Sequence, residues 1–167
     1  MKWLSSLLAA LLLTGCASRP VVKVAAPPTA DLFLAEATII QRGVLTVRGR
    51  QFTLNGYVAK SDTRGLRLLM TENFGGVLAD VLVKPDGEIF VMQAKAPFRE
   101  AWVRNYIAAD LRCIFGRNME TNCPVQMLNP RHFVIERRWY KLDLQTVEVK
   151  PGAPPDTTFD ATNRMKP

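Results

Sequence analysis

Residues 65–95 read GLRLLMTENFGGVLADVLVKPDGEIFVMQAK, and the alternation within them decides the fold. They predict consecutive antiparallel strands. Leu66, Leu68 and Met70 alternate with Gly65, Arg67, Leu69 and Thr71. Val77 to Val83 is apolar on both faces, interrupted by Asp80. Pro85-Asp86-Gly87 supplies a tight turn, Pro presetting φ and Gly accepting φ > 0. Phe90, Met92 and Ala94 then alternate with Ile89, Val91 and Gln93. A strand apolar on both faces needs cover on both, so this sheet is expected to hold something on each side.

Upstream, Val44 to Val47 and Phe52 to Lys60 read as strands, with Asn55-Gly56 a bend or bulge and Asp62 to Gly65 the next turn. Before them, Asp31 is placed to cap a short helix carrying Leu32, Ala35, Glu36 and Ile39 at helical spacing, ended by Gly43. Thr38-Ile39-Ile40 also favours strand. Gly75-Gly76 lets the chain turn between the first two strands of the central stretch.

Downstream, Phe98 to Ile114 is the one long helical candidate, with Pro97 at its start, where a missing N–H costs little. Phe98, Trp102, Tyr106, Ala109 and Cys113 form one stripe, and Val103, Ile107, Leu111 and Ile114 a second. Two apolar stripes suit a helix laid on the sheet and crossed by a loop, or one between the sheet and a lipid-filled cavity. Gly116 to Pro130 reads as a polar loop. His132 to Arg138 and Tyr140 to Val149 read as a hairpin, and Thr157 to Ala161, after the Pro151–Pro155 break, as a tail or final edge strand.

The chain has 167 residues, 48% hydrophobic and 22% charged, enough for one domain with tails. The net charge of +7 is scattered along the sequence. It fits a surface near anionic headgroups or phosphate, or plain solubility, and the basic residues are not expected to cluster with exposed aromatics as nucleic-acid binding would ask. Catalytic signatures are thin. His132 is the one histidine, which argues against a His-cluster metal site. Ser5, Ser6, Ser18 and Ser61 are the serines, and all but Ser61 lie in the first eighteen residues, which leaves little for a Ser–His–Asp site. Asp80 and Asp110 interrupt apolar runs. Asp80 is expected to pair with a neighbour such as Arg67 or to lie at the sheet rim, and Asp110 to end the helix or pair with Arg112, rather than to act as acid and base. The reading is a non-enzyme without cofactor or metal.

Lys2, the apolar run Leu4 to Leu13 and the ending Leu13-Thr14-Gly15-Cys16 resemble the leader and lipobox of bacterial lipoproteins. The resemblance implies that residues 1–15 are removed and that Cys16 is lipidated, anchoring the chain through membrane lipid. It also implies that lipoprotein-sorting machinery handles it. Ala17-Ser18 lacks an acidic inner-membrane retention residue, which implies an outer-membrane location facing the periplasm. Residues 16–30 then form the lipidated Cys and a Pro-rich tether, 31–150 the domain and 151–167 the tail. In that compartment Cys113 and Cys123 are expected to pair, a reactive or metal-binding thiol pair being the alternative.

The order lipobox, tether, short helix, run of strands, aromatic helix and hairpin resembles the LolA/LolB type of half-barrel. The resemblance is carried by Val44 to Lys60, Gly65 to Ala94 and the helix ending Ala109-Asp110-Leu111. It is nearest to small outer-membrane lipoproteins, some encoded beside aryl-polyene or fatty-acid synthesis genes. It implies a mainly β (α+β) fold: a curved antiparallel sheet, an incomplete barrel, closed by one or two helices. It also implies a ligand: an acyl chain, a polyene lipid or a lipoprotein's lipid. Expected contacts are Phe52, Leu54, Leu68, Met70, Val81, Phe90, Met92, Trp102 and Tyr106. One departure is visible. The apolar loop of a lipid acceptor should lie between early strands, and Ser61 to Arg64 is polar. The competing function is a structural or adaptor lipoprotein holding partner proteins at the membrane through rim arginines such as Arg137 and Arg138.

Overall fold

The computed structural model describes residues 32, 34–116 and 123–162. The lipobox cysteine Cys16 and the tether lie outside the described residues. The body is mainly β. Its strands are β1 (Glu36–Val47), β2 (Arg50–Ser61), β3 (Gly65–Glu72), β4 (Val77–Val83), β5 (Ile89–Ala94), β6 (Val125–Asn129), β7 (His132–Arg137) and β8 (Tyr140–Pro151). They form one open, eight-stranded sheet in the order β5-β4-β3-β2-β1-β8-β7-β6. Each neighbouring pair is antiparallel. One continuous helix runs from Glu100 to Phe115, α-helical at both ends and π-helical over Val103–Ile107, the longest among the described residues.

Several expectations are corrected. The short helix after Asp31 is replaced by β1, a 12-residue strand. Ala37, Ile39 and Gln41 are buried at period two, and β1 pairs with β2 on one side and β8 on the other, satisfying the facing edges of both, which a helix there would leave unpaired. Gly43 ends nothing. It sits mid-strand, where a Cβ would collide with the Asp143 carbonyl oxygen and the Leu144 side chain. The loop expected from Gly116 to Pro130 contains β6, a five-residue strand paired with β7. Thr157 to Ala161 is no edge strand: Asp156–Phe159 is a short 3-10 helix.

Both faces of β3 and β4 are covered, as their sequence demands. On the inner face Leu66, Leu68, Met70, Ala79, Val81 and Val83 join Leu54, Leu142 and Leu144 beneath the helix residues Val103, Ile107, Leu111, Ile114 and Phe115. On the outer face Phe159 packs on Ala59 and Leu82, flanked by Phe90, Met92 and Ala161. Burying one such aromatic contributes roughly 1.5–3 kcal/mol.

A buried ion pair fixes that outer cover. Arg67, fully buried, donates from Nε to Asp80 Oδ1 at 2.9 Å and from Nη2 to Oδ2 at 2.8 Å. Its Nη1 donates to the Thr158 carbonyl at 2.7 Å, so the guanidinium ties the C-terminal turn to the sheet. The Arg67 partner expected for Asp80 is the one found. The Cys113–Cys123 disulfide joins the helix to the segment entering β6, with Cα atoms 5.7 Å apart. A closed loop of this size contributes about 2–3 kcal/mol.

Arg67→Ala leaves Asp80 buried and unpaired, so guanidinium denaturation is expected to show a loss of about 3–5 kcal/mol. The double variant Arg67→Met, Asp80→Leu is expected to recover most of that loss. A single variant as stable as the parent would mean that water reaches Asp80.

Candidate functional site

The helix is positioned by contacts at both ends. At its start Phe98 stacks on Trp102, ring centroids 5.2 Å apart, and Trp102 meets Tyr140 of β8 edge-on at 5.0 Å. Arg104 Nη1 donates to the Ile89 carbonyl of β5 at 2.7 Å. The π-helical turn closes with Ala108 N–H donating to the Val103 carbonyl, a ladder defect of a kind that frequently marks functional sites.

The second half is held by a polar cluster. Asp110 is buried, and its partners are Arg137 and Tyr140, which corrects the Arg112 pairing expected from sequence. Arg137 Nε donates to Asp110 Oδ1 at 3.0 Å, and the Tyr140 hydroxyl donates to Oδ2. The Arg137 guanidinium also lies over the Tyr106 ring at 5.4 Å. Sequence spacing hides this cluster, because helix and hairpin are far apart in the chain. Burial first, and then the Asp110 carboxylate, hold the Tyr140 hydroxyl well above the ordinary phenol range. Hydrogen bonding to Asp110 raises the Arg137 guanidinium.

Two spaces adjoin the helix. The first is an interior hollow of about 30 Å³ lined by Gln41, Leu54, Leu68, Met70, Ile107, Asp110, Leu111, Phe115 and Leu144, among others. That is room for about two water molecules. The second is an open groove of about 560 Å³ at the end of the sheet carrying the β2–β3 and β4–β5 turns. Leu66, Val83 and Phe115 give it apolar walls, and Lys60, Asp62, Lys84 and Arg112 its charged ones. Phe115 lines both spaces and so stands between them.

Of the contact residues expected from sequence, Leu54, Leu68 and Met70 line the hollow. Val81, with half-buried Phe52, Trp102 and Tyr106, packs in the same inner cluster. Phe90 and Met92 do not join them. Phe90 pairs opposite outward-facing Leu82, and both residues pack in the outer cluster. The register shift between Asp80 and Val81 lets Ala94 and Val91 both face the inner core, although they are an odd number of residues apart. Sequence alternation carried across β5 therefore selects the wrong face for Phe90 and Met92.

Sequence reasoning missed the groove, whose walls come from two separate turns and the helix end. It also sought an apolar tip at Ser61 to Arg64, and the structure carries one elsewhere: Phe74, at the β3–β4 turn, is 97% exposed. His132 Nε2 lies 2.7 Å from Asp143 Oδ1 at a partly exposed strand position. Among the described residues no three of His, Cys, Asp and Glu are grouped as a metal site requires. Neither a scan against protein-family models nor a search of curated proteins finds a match to this chain.

The Tyr140 shift has a definite sign. The unfolded chain releases the phenol proton near pH 10 while the folded one retains it. The stabilisation is thus full below about pH 10 and is lost as pH rises above it. Tyr140→Phe is expected to be less stable than the parent near neutrality, with the gap narrowing above about pH 10 in denaturation curves taken at stepped pH. A gap independent of pH would show that the hydroxyl does not hold its proton in the fold.

Proposed function

We propose that this chain is a periplasm-facing, lipid-anchored outer-membrane lipoprotein with a LolA/LolB-like half-barrel. In this reading it carries or accepts the acyl part of an anionic amphiphile: a fatty acyl chain, a polyene lipid or a lipoprotein's lipid. The observation that carries this reading is the groove beside Phe115. Its volume falls within the roughly 300–1,000 Å³ usual for ligand sites. Apolar Leu66, Val83 and Phe115 suit the start of a hydrocarbon chain, and the ammonium and guanidinium groups of Lys60, Lys84 and Arg112 suit a carboxylate or phosphate head. Rotation of Phe115 would connect the groove to the hollow, and outward movement of the helix would enlarge the hollow along Leu68 and Met70.

Curvature supports the half-barrel part of the reading. The helix contacts both edge strands, β5 and β6. Seven strand spacings separate those edges, about 34 Å in a flat sheet. Register shifts in the β1–β8, β3–β4, β4–β5 and β6–β7 pairings are the irregularities that bend sheets. The membrane anchor rests on the Leu13-Thr14-Gly15-Cys16 pattern.

A second reading, a structural or adaptor lipoprotein with a filled core, is favoured by the small size of the hollow. Native mass spectrometry of the chain purified from a periplasm without detergent, followed by solvent extraction, separates the two. The carrier reading expects a stoichiometric lipid. An empty protein that also ignores a fluorescent fatty acid selects the adaptor reading. Within the carrier reading, Lys84→Glu is expected to weaken binding of that fatty acid by roughly ten- to a hundredfold, since a hydrogen bond or ion pair to a charged head contributes roughly 1.5–3 kcal/mol. Phe115→Ala is expected to cost about 3–5 kcal/mol of stability and to strengthen binding by opening the hollow.

A further inference from the structure

The end of the sheet opposite the groove gathers residues that are scattered in sequence. Val47 pairs with Arg50 across the β1–β2 turn and with Tyr140 of β8, while Arg137 pairs with Tyr140 across the β7–β8 turn. The Arg48-Gly49 and Arg138-Trp139 tips are therefore neighbours. Leu54 pairs with Glu72, so the β3–β4 turn with Phe74 points to the same end. Lys95, whose N–H donates to the Leu78 carbonyl, and Arg99 follow β5 there too.

The chemistry of that end is uneven. Phe74 is 97% exposed and Trp139 is 52% exposed, with the Arg138 guanidinium 4.9 Å from the Trp139 ring centroid. Arg48, Arg50, Lys95, Arg99 and Arg138 are all exposed. Among the described residues the carboxylates nearby are Glu72 and Glu100, Glu100 being held by Arg104 at 3.0 Å. Glu136 sits one rung inward, paired in register with Lys141. The groove end is mixed instead, with Glu36, Asp62, Asp86, Glu88 and Asp156 among Lys60, Arg64, Lys84 and Arg112.

Arg and Trp are common in protein interfaces, but two aromatics set well apart among five exposed cations form no contiguous, charge-depleted centre of the kind such an interface packs around. They match the headgroup layer of a bilayer, where Trp and Phe sit at the apolar boundary and Arg and Lys meet phosphates. Phe74 and Trp139 are on hairpins four strand spacings apart, about 19 Å along the sheet, so both can enter one surface. We propose that this end of the sheet docks on an anionic phospholipid bilayer, with Trp139 and Phe74 in the interface and Arg48, Arg50, Arg99 and Arg138 facing phosphates. Docking of this kind does not require a ligand in the groove. It would turn the groove mouth away from the bilayer, toward whatever delivers the amphiphile.

The test uses the full chain carrying Trp3→Phe and Trp102→Phe, which leaves Trp139 as the reporter. The chain is reconstituted in vesicles with brominated acyl chains, made of phosphatidylglycerol with phosphatidylethanolamine, or of phosphatidylcholine alone. The expected result is strong quenching of Trp139 in the anionic vesicles, reversed by high salt and weak in phosphatidylcholine. Arg48→Gln and Arg138→Gln are each expected to lower the docking equilibrium about fivefold. The companion chain, Trp3→Phe and Trp139→Phe, reports Trp102 beside the interior. Quenching of Trp102 without quenching of Trp139 would overturn the docking surface and leave the carrier reading intact. Trp139 unquenched in both vesicles, or quenched equally whatever the lipid charge and salt, would overturn it as well. So would salt-dependent binding to an acidic protein without lipid quenching.

Discussion

Two adjacent strands with apolar side chains on both faces impose the central constraint on this molecule. β3 and β4 cannot leave either face in water, so the chain must supply two covers from elsewhere. The helix provides the inner one and the C-terminal turn around Phe159 the outer one. Everything that holds those covers in place follows from that requirement. Arg67 reaches across the outer face to Asp80 and on to the Thr158 carbonyl. Asp110 ties the helix to β7 and β8 through Arg137 and Tyr140, and the disulfide ties its last turns to the start of β6.

These fastenings are unevenly spread. The outer cover is held by one fully buried guanidinium, a group that is costly to bury alone and well satisfied here by a bidentate carboxylate and a carbonyl, and by Arg64, which pairs with Asp156 and lies over the Phe159 ring. On the inner side, the second half of the helix carries a covalent link and an ionic cluster, while the first half depends on aromatic packing and one exposed hydrogen bond from Arg104. The π-helical turn lies between the two. A cover fastened at one end and packed at the other is suited to movement about its fastened end, which is the motion that uptake of a chain beneath it would need.

The two ends of the sheet differ in chemistry because they are built from different turns. The groove end joins the β2–β3 and β4–β5 turns to the last turn of the helix, placing three cationic side chains around an apolar wall. The other end joins the β1–β2, β3–β4 and β7–β8 turns, where exposed aromatics and arginines alternate. The proposed amphiphile binding and the proposed surface docking thus fall at opposite ends of one sheet.

Local physics let the sequence determine much of this. Period-two alternation and turn residues placed β2, β3, β4, β5, β7 and β8, and the apolar stripes with Pro97 placed the helix, because a strand or helix records its own burial in its own periodicity. The Asp80 partner and the Cys113–Cys123 pairing were legible as well: an acid in an apolar strand needs a base on the neighbouring strand, and few thiols were available to pair. Tertiary structure alone decided the rest. Thr38-Ile39-Ile40 became strand because β2 and β8 both offered hydrogen bonds to it. Phe90 and Met92 turned outward because a register shift is invisible in one strand read alone. Asp110 found Arg137 and Tyr140 rather than Arg112 because its partners lie across the sheet. The groove and the basic, aromatic end exist only where separate turns meet, and sequence order holds no record of which turns share an end until the strands between them have paired.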